Sequence, residues 1–129
     1  MGLDFHIESN KELHAGWSYS GFMKYRRKLA NEIGLVLNDM IGFGGDEEWP
    51  DAKDEPLVHL LDHSDCDGEL TADQCRELLP RLKEIVDEWK ERTPANMGFA
   101  YERYDIQQSE ELCNMLEYCA EHGESLLFL

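Results

Sequence analysis

Gly2-Leu3-Asp4-Phe5-His6-Ile7-Glu8 alternates apolar and polar residues, so that Leu3, Phe5 and Ile7 share one face of an extended chain. A half-buried strand of this kind needs a mate. The natural one is the segment 125–129, with its run Leu126-Leu127-Phe128-Leu129. Between these two segments the chain reads mainly as helix or loop, and Pro56-Leu57-Val58-His59-Leu60-Leu61-Asp62 fits a helical turn or a strand by pattern alone. A helical pattern begins after the Gly- and Ser-rich stretch Gly16-Trp17-Ser18-Tyr19-Ser20-Gly21: Phe22, Leu29, Ile33, Val36, Leu37 and Met40 recur at steps of three and four, with Ser18 or Ser20 as the cap. Thr71 with Gln74 three residues on forms a capping box, which starts a helix at Ala72 that buries Cys75, Leu78, Leu79, Leu82, Ile85, Val86 and Trp89. Pro80 should kink or break it, and Thr93-Pro94 should close it. A last helix is signalled by Ser109 as cap, Glu110 and Glu111 in the first turn, and Gly123 just past His122.

The predicted fold is therefore a mainly helical α+β domain spanning 1–129. It has three principal helices, near 20–40, 72–91 and 109–122, and a small sheet that pairs the two ends of the chain. The stretch 42–56, with three glycines, two prolines and six acids against Lys53, reads as a solvated surface loop.

Of 129 residues, 28 are Asp or Glu and 12 are Lys or Arg, a formal net charge of −16. Apolar residues make up 42%, enough for a core, which excludes disorder by composition. The longest apolar runs are far too short for a bilayer, and the first residues carry no basic or apolar signal core, so a soluble cytoplasmic protein is expected. Cys66, Cys75, Cys113 and Cys119 include no CxxC pair. They are expected as reduced, mostly buried small apolar residues.

The charge is unevenly placed. Beyond Arg103 there is no Lys or Arg, while Asp105, Glu110, Glu111, Glu117, Glu121 and Glu124 are all acidic, and Asp46, Glu47 and Glu48 open a second acidic region. A field of this sign disfavours direct binding of DNA or RNA and favours a basic partner protein, with attraction that weakens as salt rises. Carboxylates spaced along a helix can imitate phosphates. The leading expectation is thus a non-enzymatic interaction protein, whose face of Asp46, Glu47, Glu48, Asp105, Glu110, Glu111, Glu117 and Glu121 occupies a basic surface of a nucleic-acid-binding host factor.

Against this background four cations fall within five residues. Trp17, Tyr19, Phe22 and Tyr25 are interleaved with Lys24, Arg26, Arg27 and Lys28, of which Lys24, Arg27 and Lys28 share a helix face. One reading is a nucleotide or small-ligand site made by Trp17, Tyr19, Lys24, Arg27 and Lys28 beside a helix start. The other is that the rings fill the core and the cations pair with surrounding acids. Gly42-Phe43-Gly44-Gly45 is not a phosphate loop, because no Lys-Ser/Thr follows and the next residues are acidic.

The turn His63-Ser64-Asp65-Cys66-Asp67-Gly68-Glu69-Leu70 resembles a degenerate EF-hand loop when aligned on Gly68. Asp65, Asp67 and Glu69 are its candidate ligands for a weakly held calcium ion. His63 stands where the first carboxylate belongs, and neutral Gln74 stands at the twelfth place. The competing reading is a plain turn, with Gly68 at positive φ and Thr71 capping the next helix. A softer metal site from His59, His63 and Cys66 requires residues 57–63 to be helical. No Ser-His-Asp, Cys-His-Asp or paired-carboxylate spacing stands out, and His63 with Cys66 is the only nearby base-and-nucleophile pair.

Over most of its length the chain resembles a set of small bacterial and phage proteins that begin Met1-Gly2-Leu3-Asp4 and carry Ser18-Tyr19-Ser20-Gly21 and the His63 to Glu69 turn. The resemblance implies no assigned activity. It points to a phage or mobile-element setting, where small acidic inhibitors of host defence are common.

Overall fold

The computed structural model describes residues 2–63, 68–92 and 100–128. Its elements are β1 (Gly2–Ile7), β2 (Asn10–Ser18), α1 (Tyr19–Glu32), a 3₁₀ turn (Leu37–Asp39), α2 (Val58–Leu61), β3 (Glu69–Leu70), α3 (Ala72–Arg92), α4 (Ala100–His122) and β4 (Leu126–Phe128). The four strands form one antiparallel sheet in the order β2-β1-β4-β3. The fold is α+β and mainly helical, with three substantial helices, as the sequence predicts.

The alternation in β1 does what its period requires. Leu3, Phe5 and Ile7 are fully buried, and Phe5 lies opposite Phe128 on β4 and Ala15 on β2. The Phe5 ring meets those of Phe128, Phe22 and Trp17 at centroid distances of 4.8, 5.9 and 6.1 Å, each in an edge-on arrangement. These rings join the inner faces of α1, α3 and α4 in one contiguous core.

Two strands were not expected. β2 is one of the two edge strands, and its residues Asn10 to His14 carry no strong strand preference. Pairing with β1 defines it, and side chains of α4 complete it: Tyr104 donates its hydroxyl to the Gly16 carbonyl (2.7 Å), while Gln108 Oε1 accepts from the Gly16 N–H (3.0 Å). The outer edge of β2 is thereby satisfied at this point rather than left open. β3 is two residues long and exists through its pairing with β4.

Helix boundaries depart from the sequence reading for local reasons. α1 ends at Glu32 instead of Met40, because Gly34 takes φ +78° and Leu35 N–H turns back to the Ala30 carbonyl (2.8 Å), a glycine-terminated end. The apolar series continues past it, with Leu37 and Met40 buried from the 3₁₀ turn. α3 runs unbroken through Pro80, whose exposed position puts the lost hydrogen bond on the solvent side while Leu78 and Leu82 remain buried on the inner side. Thr93 and Pro94 lie outside the described residues. Its start is the capping box foreseen: Gln74 N–H to Thr71 Oγ1 (3.2 Å) and Thr71 N–H to Gln74 Oε1 (2.9 Å), a device worth about 1 kcal/mol.

α4 begins nine residues before the predicted start. Ser109 is no cap but a fully buried mid-helix residue, whose hydroxyl shares a 2.6 Å hydrogen bond with Tyr25. Burial drives the Tyr25 phenol pKa far up, against the opposing effect of the Ser109 bond, so the pair stays neutral. α3 and α4 make the most extensive helix contact. The stretch 42–56 is likewise less loose than expected. Trp49 Nε1 donates to the Ile41 carbonyl (2.9 Å), and Phe43 and Trp49 meet edge-on and pack partly buried against the core.

Candidate functional site

The cap of α1 sets the site. Ser18 is the N-cap, and its hydroxyl accepts from the Gly21 N–H (3.0 Å), which fixes the direction in which the helix leaves β2. From that start the helix turns Phe22, Tyr25 and Leu29 into the core and carries Lys24 and Arg27 on its exposed side. Beside them, between α1, the end of β2 and the first turns of α4, lies a groove of about 830 Å³. Trp17, Ser20, Lys24, Arg27, Lys28, Tyr104 and Asp105 are among its lining residues. Its size falls in the range of small-ligand sites, roughly 300–1,000 Å³.

The floor is a buried polar junction. Asp105 Oδ1 accepts from Trp17 Nε1 (3.0 Å), and Oδ2 accepts from Lys28 Nζ (2.9 Å). Lys28 also lies over the Trp89 ring at 4.7 Å. One face of Trp17 is stacked on Tyr25 at 4.3 Å. The rings of the 17–28 segment thus belong largely to the core, and Lys28 is paired. Lys24 and Arg27 are not: among the described residues neither has a carboxylate within 4 Å. Arg26, the fourth cation, points inward. It is 2% exposed, its guanidinium lies 4.5 Å from the Phe22 ring, and Nη2 donates to the His63 carbonyl (2.7 Å).

Of the five residues proposed from sequence for a ligand site, the groove brings together Trp17, Lys24, Arg27 and Lys28. Tyr19 is 39% exposed and is not part of its lining. Sequence reasoning missed Tyr104, and it placed Asp105 on an exposed acidic face. That placement is corrected: Asp105 is 7% exposed and its oxygens are taken by Trp17 and Lys28. The inward spacing Asp105, Ser109, Leu112, Leu116 was the available signal, concealed because the helix start was set at Ser109. A second cavity, of about 590 Å³, shares Arg27 but adds Asp62, whose carboxylate opposes an anion.

The other acidic candidates lie in the 46–48 loop and on α4. Asp46, Glu47 and Glu48 are exposed in the loop before Pro50. Glu117 and Glu121 are exposed on α4 and Glu111 is half-buried, whereas Glu110 lies 3.5 Å from Lys90 of α3. Arg76, Lys83 and Lys90 recur every seventh residue along α3, and Arg76 Nη2 reaches the Ala120 carbonyl of α4 (2.8 Å). Lys83, Glu110 and Glu117 all act on buried Cys113, whose thiol is pushed up to about 12 by burial, with Lys83 opposing and the acids reinforcing. Of the α4 carboxylates, Glu110 is thus paired with a cation of α3, while Glu111, Glu117 and Glu121 are in no ion pair among the described residues. At the far end of α3, burial favours a neutral Glu32. Hydrogen bonds from Arg92 (2.6 Å) and Trp89 Nε1 (2.8 Å) outweigh it and hold the carboxyl below its usual value.

Of the candidate calcium ligands, Asp65 and Asp67 lie outside the described residues, as does Cys66. Glu69 is exposed on β3, and its carbonyl accepts from His63 Nε2 (3.1 Å). Gly68 takes φ +99°, the conformation that the tight turn demands, and the Gln74 amide is engaged in the capping box. His59 pairs with Glu77 (2.9 Å), while His63 stacks on Phe128 at 3.9 Å, so the two histidines serve different neighbours. Among the described residues no three metal-ligating side chains converge. No helix among them is long and apolar enough to cross a membrane. Cys75, Cys113 and Cys119 are buried and free.

No protein-family model matches this chain, and no curated protein or solved structure is detectably similar to it.

Proposed function

We propose that the protein is a small-ligand-binding module that holds a phosphorylated small molecule in the groove beside α1. The observation that carries this reading is the pair Lys24 and Arg27. In a chain of formal charge −16, two neighbouring cations on a groove wall lie within 4 Å of no carboxylate among the described residues. An anion supplies that partner, and its bonds to ammonium and guanidinium are of the strong charge-assisted kind. The start of α1 adds its own preference for negative charge. Calorimetric titration with inorganic phosphate and pyrophosphate tests the reading. Binding is expected, and Lys24→Glu with Arg27→Glu is expected to weaken it at least about tenfold. Absence of heat and of any thermal shift with both anions would remove it.

A second reading rests on the loop. Asp46, Glu47 and Glu48, followed by Asp51 and Asp54, are all exposed, and none is in an ion pair among the described residues. They suit the basic surface of a nucleic-acid-binding partner, as in an inhibitor of a host defence factor. Capture of such a partner by the intact chain is expected to fall steeply between low and molar salt and to be lost when Asp46, Glu47 and Glu48 become Lys. Salt-independent capture would refute it.

A further inference from the structure

We infer that the groove is a mononucleotide site: a dianionic phosphate held by Lys24 and Arg27, with a planar base lying against Tyr104. This rests on the reading of the groove as an anion site and goes beyond it in naming the ligand.

The first observation is charge. Lys28 is already balanced by Asp105 at 2.9 Å, so the groove offers the anion two uncompensated cations, Lys24 and Arg27. Two positive charges match one phosphate monoester dianion. The rest of the chain argues against more. With a formal charge of −16, the molecule repels extended polyanions, whereas a small ligand within a Debye length of Lys24 and Arg27, about 8–10 Å, feels mainly those two. A nucleic-acid strand is thus disfavoured where a single nucleotide is not.

The second observation is shape. A volume of about 830 Å³ is far more than a phosphate fills. The remainder is bounded by an aromatic surface held in place. Tyr104 is 45% exposed, yet its hydroxyl is tied to the Gly16 carbonyl at 2.7 Å, so the ring is fixed on the rim instead of turning freely in solvent. An exposed but anchored ring gives a base a stacking surface at little entropic cost. Gly21 packs closely under the cap, since a Cβ there would lie 2.8 Å from Ser18 Oγ.

The test is calorimetric titration of the intact protein with inorganic phosphate, the four nucleosides, their 5′-monophosphates and a 12-nucleotide single strand. At least one monophosphate is expected to bind at least about tenfold more tightly than phosphate, and more tightly than its own nucleoside or the strand. In Tyr104→Leu the ratio between monophosphate and phosphate affinities is expected to collapse toward one. In Tyr104→Phe, which loses the anchor but keeps the ring, part of that ratio should survive. Equal affinities for phosphate and every monophosphate would overturn the nucleotide assignment and leave the anion site standing. Tighter binding of the strand would overturn it in favour of a polynucleotide, and no binding of any probe would overturn both readings together.

Discussion

Phe5→Ala is expected to cost about 3–5 kcal/mol of folding stability, a large share of the roughly 5–15 kcal/mol typical of a domain. Phe5 is fully buried on a central strand, and its ring is ringed by Trp17, Phe22 and Phe128, which come from β2, α1 and β4. None of the three can swing into the vacated space without leaving its own contacts, so a cavity remains and adds to the lost transfer free energy. Urea denaturation followed by tryptophan fluorescence reads the change directly. A midpoint near that of the wild type would mean that the core closes over the hole. Phe5→Leu, which keeps most of the volume, is expected to lose less than half as much.

Asp105→Ala is expected to cost about 2–3 kcal/mol, because it strands the Trp17 indole N–H and the Lys28 ammonium together. The figure is set below that of a fully buried ion pair, since the Lys28 side chain is 34% exposed and retains some water. Asp105→Asn keeps an oxygen for Trp17 and should recover part of the loss. The same substitution releases Lys28 toward the groove. If the groove holds anions, Asp105→Asn is therefore expected to bind phosphate several-fold more tightly while melting at a lower temperature. Loss of both stability and binding would show that Asp105 positions the site and that its charge does not limit it.

How much could be read in advance depends on whether a residue's role is local. The alternation of Leu3, Phe5 and Ile7 and the Thr71–Gln74 box are decided within a few residues, and both were legible. The Lys24 and Arg27 face was legible for the same reason, because positions three apart on a helix must be neighbours. β2 was not, since Asn10 to His14 become a strand only through pairing with β1. Asp105 and Ser109 look like surface residues because they are polar. They face inward to meet Trp17, Lys28 and Tyr25, partners 77 to 88 residues away. No periodicity reports a partner at that separation. Tyr104 entered the site by the same route.

The sheet order carries a consequence for the sequence of events by which the chain assembles. β4 lies between β1 and β3, so two-residue β3 has no strand to lean on until residues 126–128 arrive. β1 and β2 can meet early as a local hairpin, whereas insertion of β4 joins residues more than a hundred positions apart. On a ribosome, β4 emerges after β1, β2 and β3 and is thus the strand that turns a hairpin into this sheet, and the ring cluster around Phe5 closes only at that moment.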